Sequence, residues 1–295
     1  MMLFAVHISD GVLAWPWLAA GFALAALFLW ISVWRLREEE VPRIALLTAA
    51  FFVSSLIHIK APPTSIHLLL TGLVGVVLGP RAALAIFVGL LLQVLLMQHG
   101  GYLTLGVNTC VMSVPALLAY FFFQALHRLD ALRAPFGRGL LVGVGAFIWF
   151  LCGVYSLTLV SNASLRSLEA SAIELANARL LNPWFLLSAL TFAIGAILIE
   201  RRLENTPEFP LGFLIGLLSV LGTAGLNCVV LIQGGERHWP IAPLVLVIAH
   251  MPFAVIEGVI LGFAVGFLAR VKPEMLGIMV APANPSMPRS PEASG

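Results

Sequence analysis

Long stretches of apolar residues alternate along the chain with short clusters of charged ones. A helix of about 17–25 apolar residues can cross the roughly 30 Å hydrocarbon core of a membrane. The pattern predicts an all-α, polytopic membrane helical bundle with nine spans: Val12–Trp34, Ile44–Ile59, Ile66–Leu78, Ala82–Met97, Asn108–Leu126, Leu140–Val160, Trp184–Ile199, Leu211–Ile232 and Pro243–Leu268. The third and fourth stretches are short and meet at Gly79-Pro80, so they could form one bent hairpin or partly re-entrant segments. The predicted count therefore ranges from seven to nine.

Composition narrows the class of protein. Hydrophobic residues occupy 60% of the 295 positions and charged residues 10%, with a mean hydropathy of +1.02. Soluble domains carry about 45–50% apolar and about 25% charged residues, so a soluble enzyme is excluded. A formal net charge of +2 offers no surface for nucleic acid. Neither a disulfide framework nor a CxxC metal motif is expected from three cysteines that lie inside apolar stretches: Cys110, Cys152 and Cys228.

The basic residues predict an orientation in the cell (inner) membrane. Lys and Arg are retained on the cytoplasmic side of short loops. With nine spans and the N-terminus outside, 12 of the 16 Lys and Arg residues lie in the cytoplasm, together with the C-terminus. The first basic residue, Arg35, follows the first apolar stretch, so that stretch is expected to be a span and not a cleaved signal peptide.

Two regions outside the spans have their own character. Residues Asn162–Leu181 carry charges at helical spacing and predict an external amphipathic helix. Residues 273–295 are rich in Pro and Ser towards their end, and they predict a disordered cytoplasmic tail. The tail would follow a single transmembrane domain that ends at residue 272.

Histidines are the most informative polar residues, because polar groups near a membrane are costly to retain. Imidazole is a common ligand of Ni, Co, Zn and Cu ions. The Asp10-Gly11 pair predicts a tight turn that folds His7 over the mouth of the bundle, and Pro62-Pro63 stiffens the loop that carries His67. A metal site is indicated on the external side, although any one histidine there could be an ordinary loop or interface residue. That side holds five of the seven: His7, His58, His67, His99 and His238.

Four segments together resemble one family. They are VHISDGVL at Val6–Leu13, TSIHLL at Thr64–Leu69, the LLLQ, HGG and LGVN runs within Leu90–Asn108, and HMPFAVIEG at His250–Gly258. In the same order they are similar to the N-terminal signature, the TSxHLL segment, the LLLQ…GHGG…LGxN segment and the HxPxAVIEG run of the CbiM/NikM family. Its members are substrate-capture components of energy-coupling-factor importers for cobalt and nickel. The resemblance covers residues 6–126 and 211–276.

The resemblance implies a Ni(II) or Co(II) site built from the start of the chain. In the family the transported ion sits in a near square-planar set of nitrogens. Carried over, these are the amino group of Val6, the amide nitrogen and imidazole of His7, and the imidazole of His67. Tetragonal nitrogen coordination suits Ni(II), and the charge of the ion helps to ionise the amide. The sequence does not distinguish nickel from cobalt.

The chain departs from the family pattern at two places. Met1–Ala5 precede the position of the family's initiator methionine, and an internal Val6 has no free amine. We interpret Val6 as the true start, so that the metal-capture domain covers residues 6–272; proteolytic trimming or a changed coordination shell are the alternatives. A two-span insertion at about 140–200 separates segments that are almost adjacent in the compact family core, and it has no functional interpretation.

Other residues of the matched segments are expected to support the site or to contact partners. Asn108 would hydrogen-bond an imidazole or the loop over the site, with a helix N-cap as the alternative. His99 and Gln98 would line the external loop and assist the ion on its way in. His250 and Glu257 are seven residues apart and share a helix face, so this pair is expected to join helices or to face a partner rather than bind the ion.

The resemblance also implies partners. The sequence contains no Walker GxxxxGK[ST] motif, so the chain itself is not expected to hydrolyse ATP. Two ATP-binding subunits would act through a coupling transmembrane (T) subunit, with a small membrane auxiliary subunit as a further partner. Ala19 and Ala23 resemble the AxxxA contact that capture components use.

Two other functions stay open. An ion-coupled secondary metal carrier would need several acidic residues at mid-membrane, and only Glu257 qualifies. An intramembrane metal-dependent hydrolase would need a catalytic motif, and neither HExxH nor GxSxG occurs. The chain is therefore predicted not to be an enzyme.

Overall fold

A computed structural model describes residues 4–5, 7–61, 64–162, 170–202, 206–235 and 241–278. These residues form α1 Trp15–Val33, α2 Val41–Leu56, α3 Thr71–Leu78, α4 Ala82–Met97, α5 Leu105–Leu126, α6 Asp130–Arg133, α7 Pro135–Asn162, α8 Ala170–Leu180, α9 Pro183–Arg202, α10 Phe209–Gly234 and α11 Ile241–Val271. Short 3-10 turns lie at Glu38–Glu40, Gly79–Arg81 and Pro273–Leu276, and three strands are β1 Phe4–Ala5, β2 His58–Ala61 and β3 Thr64–His67.

Seven segments of the described chain are long and apolar enough to cross a membrane, so the predicted helical membrane bundle is confirmed. They are α1, α3 together with α4, α5, α7, α9, α10 and the Pro243–Val271 part of α11. The other predicted spans are shorter, since α2 has 16 residues and α3 has eight. At 1.5 Å per residue α3 is about 12 Å long, which is less than half the thickness of the hydrocarbon core. The orientation of the bundle stays a prediction.

A sharp bend separates α3 from α4 at the predicted Gly79-Pro80 junction. Gly79 has a φ of +55°, which residues with a Cβ seldom adopt, and a Cβ there would lie 2.9 Å from the ring of Tyr120. The guanidinium of Arg81 then donates hydrogen bonds to three carbonyl oxygens around the end of α1: Ser32, Trp34 and Arg35. The bend is therefore tied to the first helix of the bundle.

The short helix α3 lies at the centre of the molecule. Seven of its eight residues are buried, and α2, α4, α5, α10 and α11 pack against it. A helix that is covered on every side needs no polar face, which explains why its sequence is apolar after Thr71. The segment that leads into α3 carries His67, so the surrounding helices hold that histidine in position.

Glycines spaced four apart join α10 to α11. A Cβ on Gly212 would lie 2.8 Å from the Cα of Gly262, and one on Gly216 would lie 2.8 Å from the carbonyl oxygen of Glu257. Small residues allow helix backbones to approach closely in a membrane. These stripes therefore serve packing inside the bundle.

A small sheet and the N-terminal segment lie across one end of the bundle. The strand order is β1-β3-β2, with β1 parallel and β2 antiparallel to β3. Ala14 donates its amide hydrogen to the carbonyl oxygen of Gly234 at 2.9 Å, and Leu13 pairs with Gly235. The sequence pattern does not predict these strands, because two to four residues are too few to show alternation.

The region of the predicted insertion forms α7, α8 and α9. Helix α8 corresponds to the predicted amphipathic helix, and it buries Ala172 and Ala176. Arg179 donates a hydrogen bond to the hydroxyl of Thr158 on α7 at 3.1 Å. Residues 163–169 lie outside the described part of the chain, and the external location of α8 stays a prediction.

The C-terminal boundary differs from the prediction. Leu276, in the 3-10 turn after α11, is 0% exposed, and Gln124 donates a hydrogen bond to its carbonyl oxygen at 2.7 Å. Burial of this apolar side chain between helices keeps the turn ordered, which composition alone does not reveal. The prediction of a disordered tail from residue 273 is therefore corrected for residues 273–278, and residues 279–295 lie outside the structure's described ranges.

Candidate metal site

Three imidazoles meet where the N-terminal segment crosses the end of the bundle. The ligand nitrogens of His7, His67 and His99 all lie within 4.8 Å of one another. The ring centroids of His7 and His67 are 4.9 Å apart, and those of His7 and His99 are 5.0 Å apart. His7 and His67 are each 1% exposed. We call these residues the histidine group; it joins the two predicted imidazole ligands to His99, for which the sequence suggests only a role in ion access.

The two predicted ligands face each other. Nδ1 of His67 lies 2.8 Å from the carbonyl oxygen of Leu68, and because a carbonyl only accepts, this nitrogen carries the hydrogen. The lone pair of His67 is then on Nε2, which lies 3.0 Å from Nε2 of His7. Two nitrogens that bind one ion at about 2.1 Å each, at right angles, are about 3 Å apart. The spacing fits two neighbouring ligands of a single ion.

His7 is held in its neutral form. Burial, and then the nearby imidazoles of His67, His99 and His250, keep the pKa of His7 well below its ordinary value of 6.5. Metal ions bind the neutral imidazole, since protonation occupies the lone pair. At neutral pH the ring therefore carries one hydrogen, which lies on Nε2 because Nε2 of His67 is the acceptor in their 3.0 Å contact; an ion that binds His7 through Nε2 would replace this hydrogen.

Asn108, on α5, fixes the backbone beside His7. Its Oδ1 accepts a hydrogen bond from the amide of Ile8 at 2.9 Å, and its Nδ2 donates to the carbonyl oxygen of Ile8 at 2.9 Å. The hydroxyl of Thr104 donates to the same carbonyl at 2.6 Å. The carboxamide of Asn108 thus bonds to both the amide and the carbonyl of Ile8, as a neighbouring strand would. It contacts the segment next to His7, as the sequence suggests for one of its two possible partners. Thr104 occupies the N-cap position of α5, so Asn108 lies within the helix and is not its N-cap.

Asp10 anchors the same segment at the start of α5. Its carboxylate accepts hydrogen bonds from three successive backbone amides at 2.9–3.1 Å: Tyr102, Leu103 and Thr104. A negative charge is favourable at the N-terminus of a helix. Gly101 packs directly against Asp10 and has no room for a side chain. The sequence does not indicate this contact, because the Asp10-Gly11 pair predicts only a turn.

The loop after α4 brings His99 to the group. Gln98 ends the helix with a φ of +54°, and the amide of His99 donates to the carbonyl oxygen of Gln93 at 3.2 Å. Gly100 has a φ of +86°, and a Cβ at this position would lie 3.4 Å from the Cβ of His7. The loop is therefore closely fitted to His7. Gln98 is exposed and stands outside the histidine group, so its predicted role in ion access stays a prediction.

Comparison with known proteins shows the family to which the chain belongs. A family model described as "Cobalt uptake substrate-specific transmembrane region" matches residues 7–195 and 184–275. This chain belongs to the CbiM family. It is therefore a multi-pass membrane protein of a metal-transport family, and the family is not one of enzymes.

Individual relatives of this CbiM-family chain cover different shares of it. A "Putative metal transport protein" of Haemophilus influenzae is 43% identical over 141 residues, which are 48% of this chain and 67% of that protein. A "Putative fused nickel transport protein NikMN" of Archaeoglobus fulgidus is 32% identical over 138 residues, 45% of this chain and 47% of that one. A crystal structure titled as a transition metal transporter is 21% identical, covers 90% of this chain and 93% of its own, and has a TM-score of 0.45.

The fourth family motif, on α11, contributes Glu257 and His250. The carboxylate of Glu257 accepts hydrogen bonds from the amides of Leu69 and Leu70, the latter at 2.9 Å. Both carboxylate oxygens thus join α11 to the segment between His67 and α3. A secondary carrier would need acidic residues at mid-membrane, and Glu257, the candidate from the sequence, makes a structural contact instead. His250 is buried, and its Nδ1 lies 2.7 Å from the carbonyl oxygen of Leu246.

Ala19 and Ala23 are not part of the histidine group. Ala19 is partly exposed and Ala23 is exposed on α1, whose buried face holds Gly21, Ala25 and Ser32. Contact of Ala19 and Ala23 with a partner stays a prediction of the family resemblance. Val6, the source of the predicted amine ligand, lies outside the residues that the structure describes.

Proposed function

We propose that this CbiM-family chain captures Ni(II) or Co(II) at the histidine group, as the substrate-binding membrane component of an ATP-driven, energy-coupling-factor importer. The observation that supports the proposal is the pair of facing Nε2 atoms of His7 and His67, 3.0 Å apart, beside a third imidazole. Imidazole suits Ni(II) and Co(II), whereas Mg(II) and Ca(II) prefer oxygen ligands. The ion is the cargo of this chain and not a resident cofactor.

Energy for uptake comes from partners in this proposal. The chain has no Walker motif, so two ATP-binding subunits act through a coupling transmembrane subunit, and a small membrane auxiliary subunit joins them. Ala19 and Ala23 offer small side chains on one helix, which suits close approach of another helix. The α1 helix is accordingly the surface that we assign to the coupling subunit.

The ligand assignment predicts that His7→Ala or His67→Ala lowers Ni(II) and Co(II) affinity by more than about 100-fold, because each change removes a ligand and leaves a buried gap. Calorimetric titration of the purified chain with each ion measures this. His127→Ala is the matched control, since His127 is also buried and lies at the opposite end of α5. Wild-type affinity in both ligand variants would refute the assigned site.

The amine ligand depends on the true start of the chain. We expect the native protein to begin at position 6, so that its amino group joins His7 and His67 around the ion. Intact-mass spectrometry of metal-loaded protein isolated from its own host measures the N-terminus directly. An intact Met1 in that material would contradict the amine ligand and leave the imidazoles as the binding groups.

A further inference from the structure

An apolar cavity lies between the helices of the two-span insertion and the last two helices of the bundle. It measures about 300 Å³, and α7, α9, α10 and α11 each contribute side chains to its wall. Among the described residues that line it, Glu200 alone is charged. The volume lies at the lower end of the range of about 300–1,000 Å³ that ligand pockets occupy. The region of the insertion therefore holds a space for a ligand that the metal site does not use.

The cavity opens towards the hydrocarbon of the membrane. Phe192 and Ile199 on α9 line it, and they are 43% and 64% exposed on the outside of the bundle. Lipid acyl chains surround α9, since this helix is long and apolar enough to cross a membrane. An unfilled space there would deprive the lining atoms of dispersion contacts. Acyl chains are the molecules at hand that can fill it.

The length of the cavity suits an acyl chain of one membrane leaflet. Phe192 and Glu200 are eight residues apart, about 12 Å along α9, and one leaflet of the hydrocarbon core is about 15 Å thick. Glu200 lies two residues before the end of α9, whereas the stacked rings of Trp149 and Phe192 lie nearer its middle. The cavity therefore runs from one membrane surface towards the centre, which is the direction of an acyl chain.

Positive charge gathers at the end of the cavity that lies nearer the membrane surface. Arg138 on α7 donates hydrogen bonds through Nε and Nη2 to Oε1 of Glu200, at 3.1 and 2.7 Å, which leaves its Nη1 outside this ion pair. Arg201 and Arg202 follow Glu200 directly and are exposed. Three arginines and one glutamate leave these four residues with a net positive charge. Guanidinium groups bind phosphate through charge-assisted hydrogen bonds, and basic pockets between membrane helices bind anionic lipid headgroups.

We propose that this cavity binds one anionic phospholipid, with an acyl chain along α9 and the phosphate at Arg201 and Arg202. The site is separate from the histidine group, because Arg138 follows the end of α5 whereas the histidine group lies at the start of that helix. The inference is therefore independent of the proposed metal capture. A bound acyl chain fills the space between the insertion and the last two helices, and so stabilises their packing.

Native mass spectrometry of the purified full chain tests the proposal, by titration with phosphatidylglycerol or with phosphatidylcholine of the same acyl chains. We expect one phosphatidylglycerol to bind about 10–30-fold more tightly than phosphatidylcholine, since each of two arginines adds several-fold to the affinity for an anionic lipid. The double variant Arg201→Gln/Arg202→Gln should lose this preference. Arg35→Gln/Arg128→Gln is the control, because it removes two other exposed arginines outside the cavity, and it should keep the preference.

A second pair of variants tests the cavity itself. Ala196 lines it, so Ala196→Phe should fill it and abolish the binding of phosphatidylglycerol. Leu198→Phe is the control, since Leu198 is exposed on the same helix but does not line the cavity. The melting temperature reports whether each variant folds, and the arginine variants decide the matter if Ala196→Phe does not.

Two results would overturn the proposal. One is equal affinity of the wild-type chain for the two lipids, or a preference that survives in Arg201→Gln/Arg202→Gln. The other is wild-type binding of phosphatidylglycerol in a folded Ala196→Phe variant, which would place the lipid elsewhere. A wild-type chain that retains no phosphatidylglycerol would likewise refute the site and leave the cavity to a helix of a partner subunit.

Discussion

The polar side chains around the histidine group make their shortest hydrogen bonds to backbone atoms. Asn108 pairs with both polar atoms of Ile8, and Asp10 accepts from the amides at the start of α5. Each of these contacts satisfies groups that would be costly to leave unpaired in an apolar setting. Together these contacts hold the backbone on the C-terminal side of His7 in place.

The two hydrogen bonds between Asn108 and the backbone of Ile8 predict that Asn108→Leu weakens Ni(II) binding about 10–100-fold. This change removes the contacts that position His7, while all imidazoles remain. Calorimetric titration measures the affinity, and the melting temperature of the metal-free chain reports on the fold. Asn108→Asp keeps the acceptor for the Ile8 amide but loses the donor, so an intermediate affinity is expected. Equal Ni(II) affinity of Asn108→Leu and wild type would show that these two hydrogen bonds are not needed for metal binding.

Helix α3 and the residues at its two ends are bonded to other parts of the bundle. At its start, Glu257 binds the amides of Leu69 and Leu70, and at its end Arg81 is bonded to the carbonyls around the end of α1 and to Glu40. A helix of eight residues that is fixed at both ends has little freedom to move alone. The segment that carries His67 is therefore bonded to α11, and the far end of α3 is bonded to the connection between α1 and α2.

Close packing of α10 on α11 predicts that Gly216→Ala destabilises the protein by about 1–3 kcal/mol, since the new Cβ would press on the carbonyl of Glu257. The melting temperature, followed by tryptophan fluorescence, should fall. Gly225→Ala, on the same helix, is the control, because a Cβ there meets nothing within 4 Å. Alanine favours a helix over glycine by up to about 1 kcal/mol, so this variant should melt at or above the wild-type temperature. A lower melting temperature for Gly225→Ala than for Gly216→Ala would contradict the close packing of α10 on α11.

At the scale of the whole molecule, the histidine group lies at one end and the ordered turn at Leu276 is bonded to Gln124, near the end of α5 away from the site. Nothing in the sequence provides a nucleotide-binding motif. In the proposed function this chain holds the ion, and other subunits provide the energy that moves it across the membrane.

Uptake measurements test the proposed roles of this chain and of its partner subunits. In liposomes that hold the chain together with the coupling and ATP-binding subunits, radioactive nickel should accumulate only when ATP is present on the side of the ATP-binding subunits. The same assembly with His67→Ala should accumulate none, since capture fails before transport. Accumulation by liposomes that contain this chain alone would rule out the ATP-driven mechanism and favour a carrier.

Several features were predictable from the sequence because their signals are local. Apolar stretches show the membrane helices, Gly79-Pro80 marks the bend, and short motifs identify the family and single out His7 and His67. Burial of Leu276 was not predictable, because it lies next to a polar end whose composition suggests disorder.

The contacts that complete the site depend on the tertiary structure. Asp10 meets residues 92 to 94 positions away, and Glu257 meets residues 187 and 188 positions away. No spacing rule along the chain connects such residues, since helix and strand periodicities extend over a few turns only. The sequence alone therefore determined the membrane class, the family and two candidate ligands. The fold of the loop between α4 and α5 decided that His99 joins them, because only the tertiary structure brings that loop against His7.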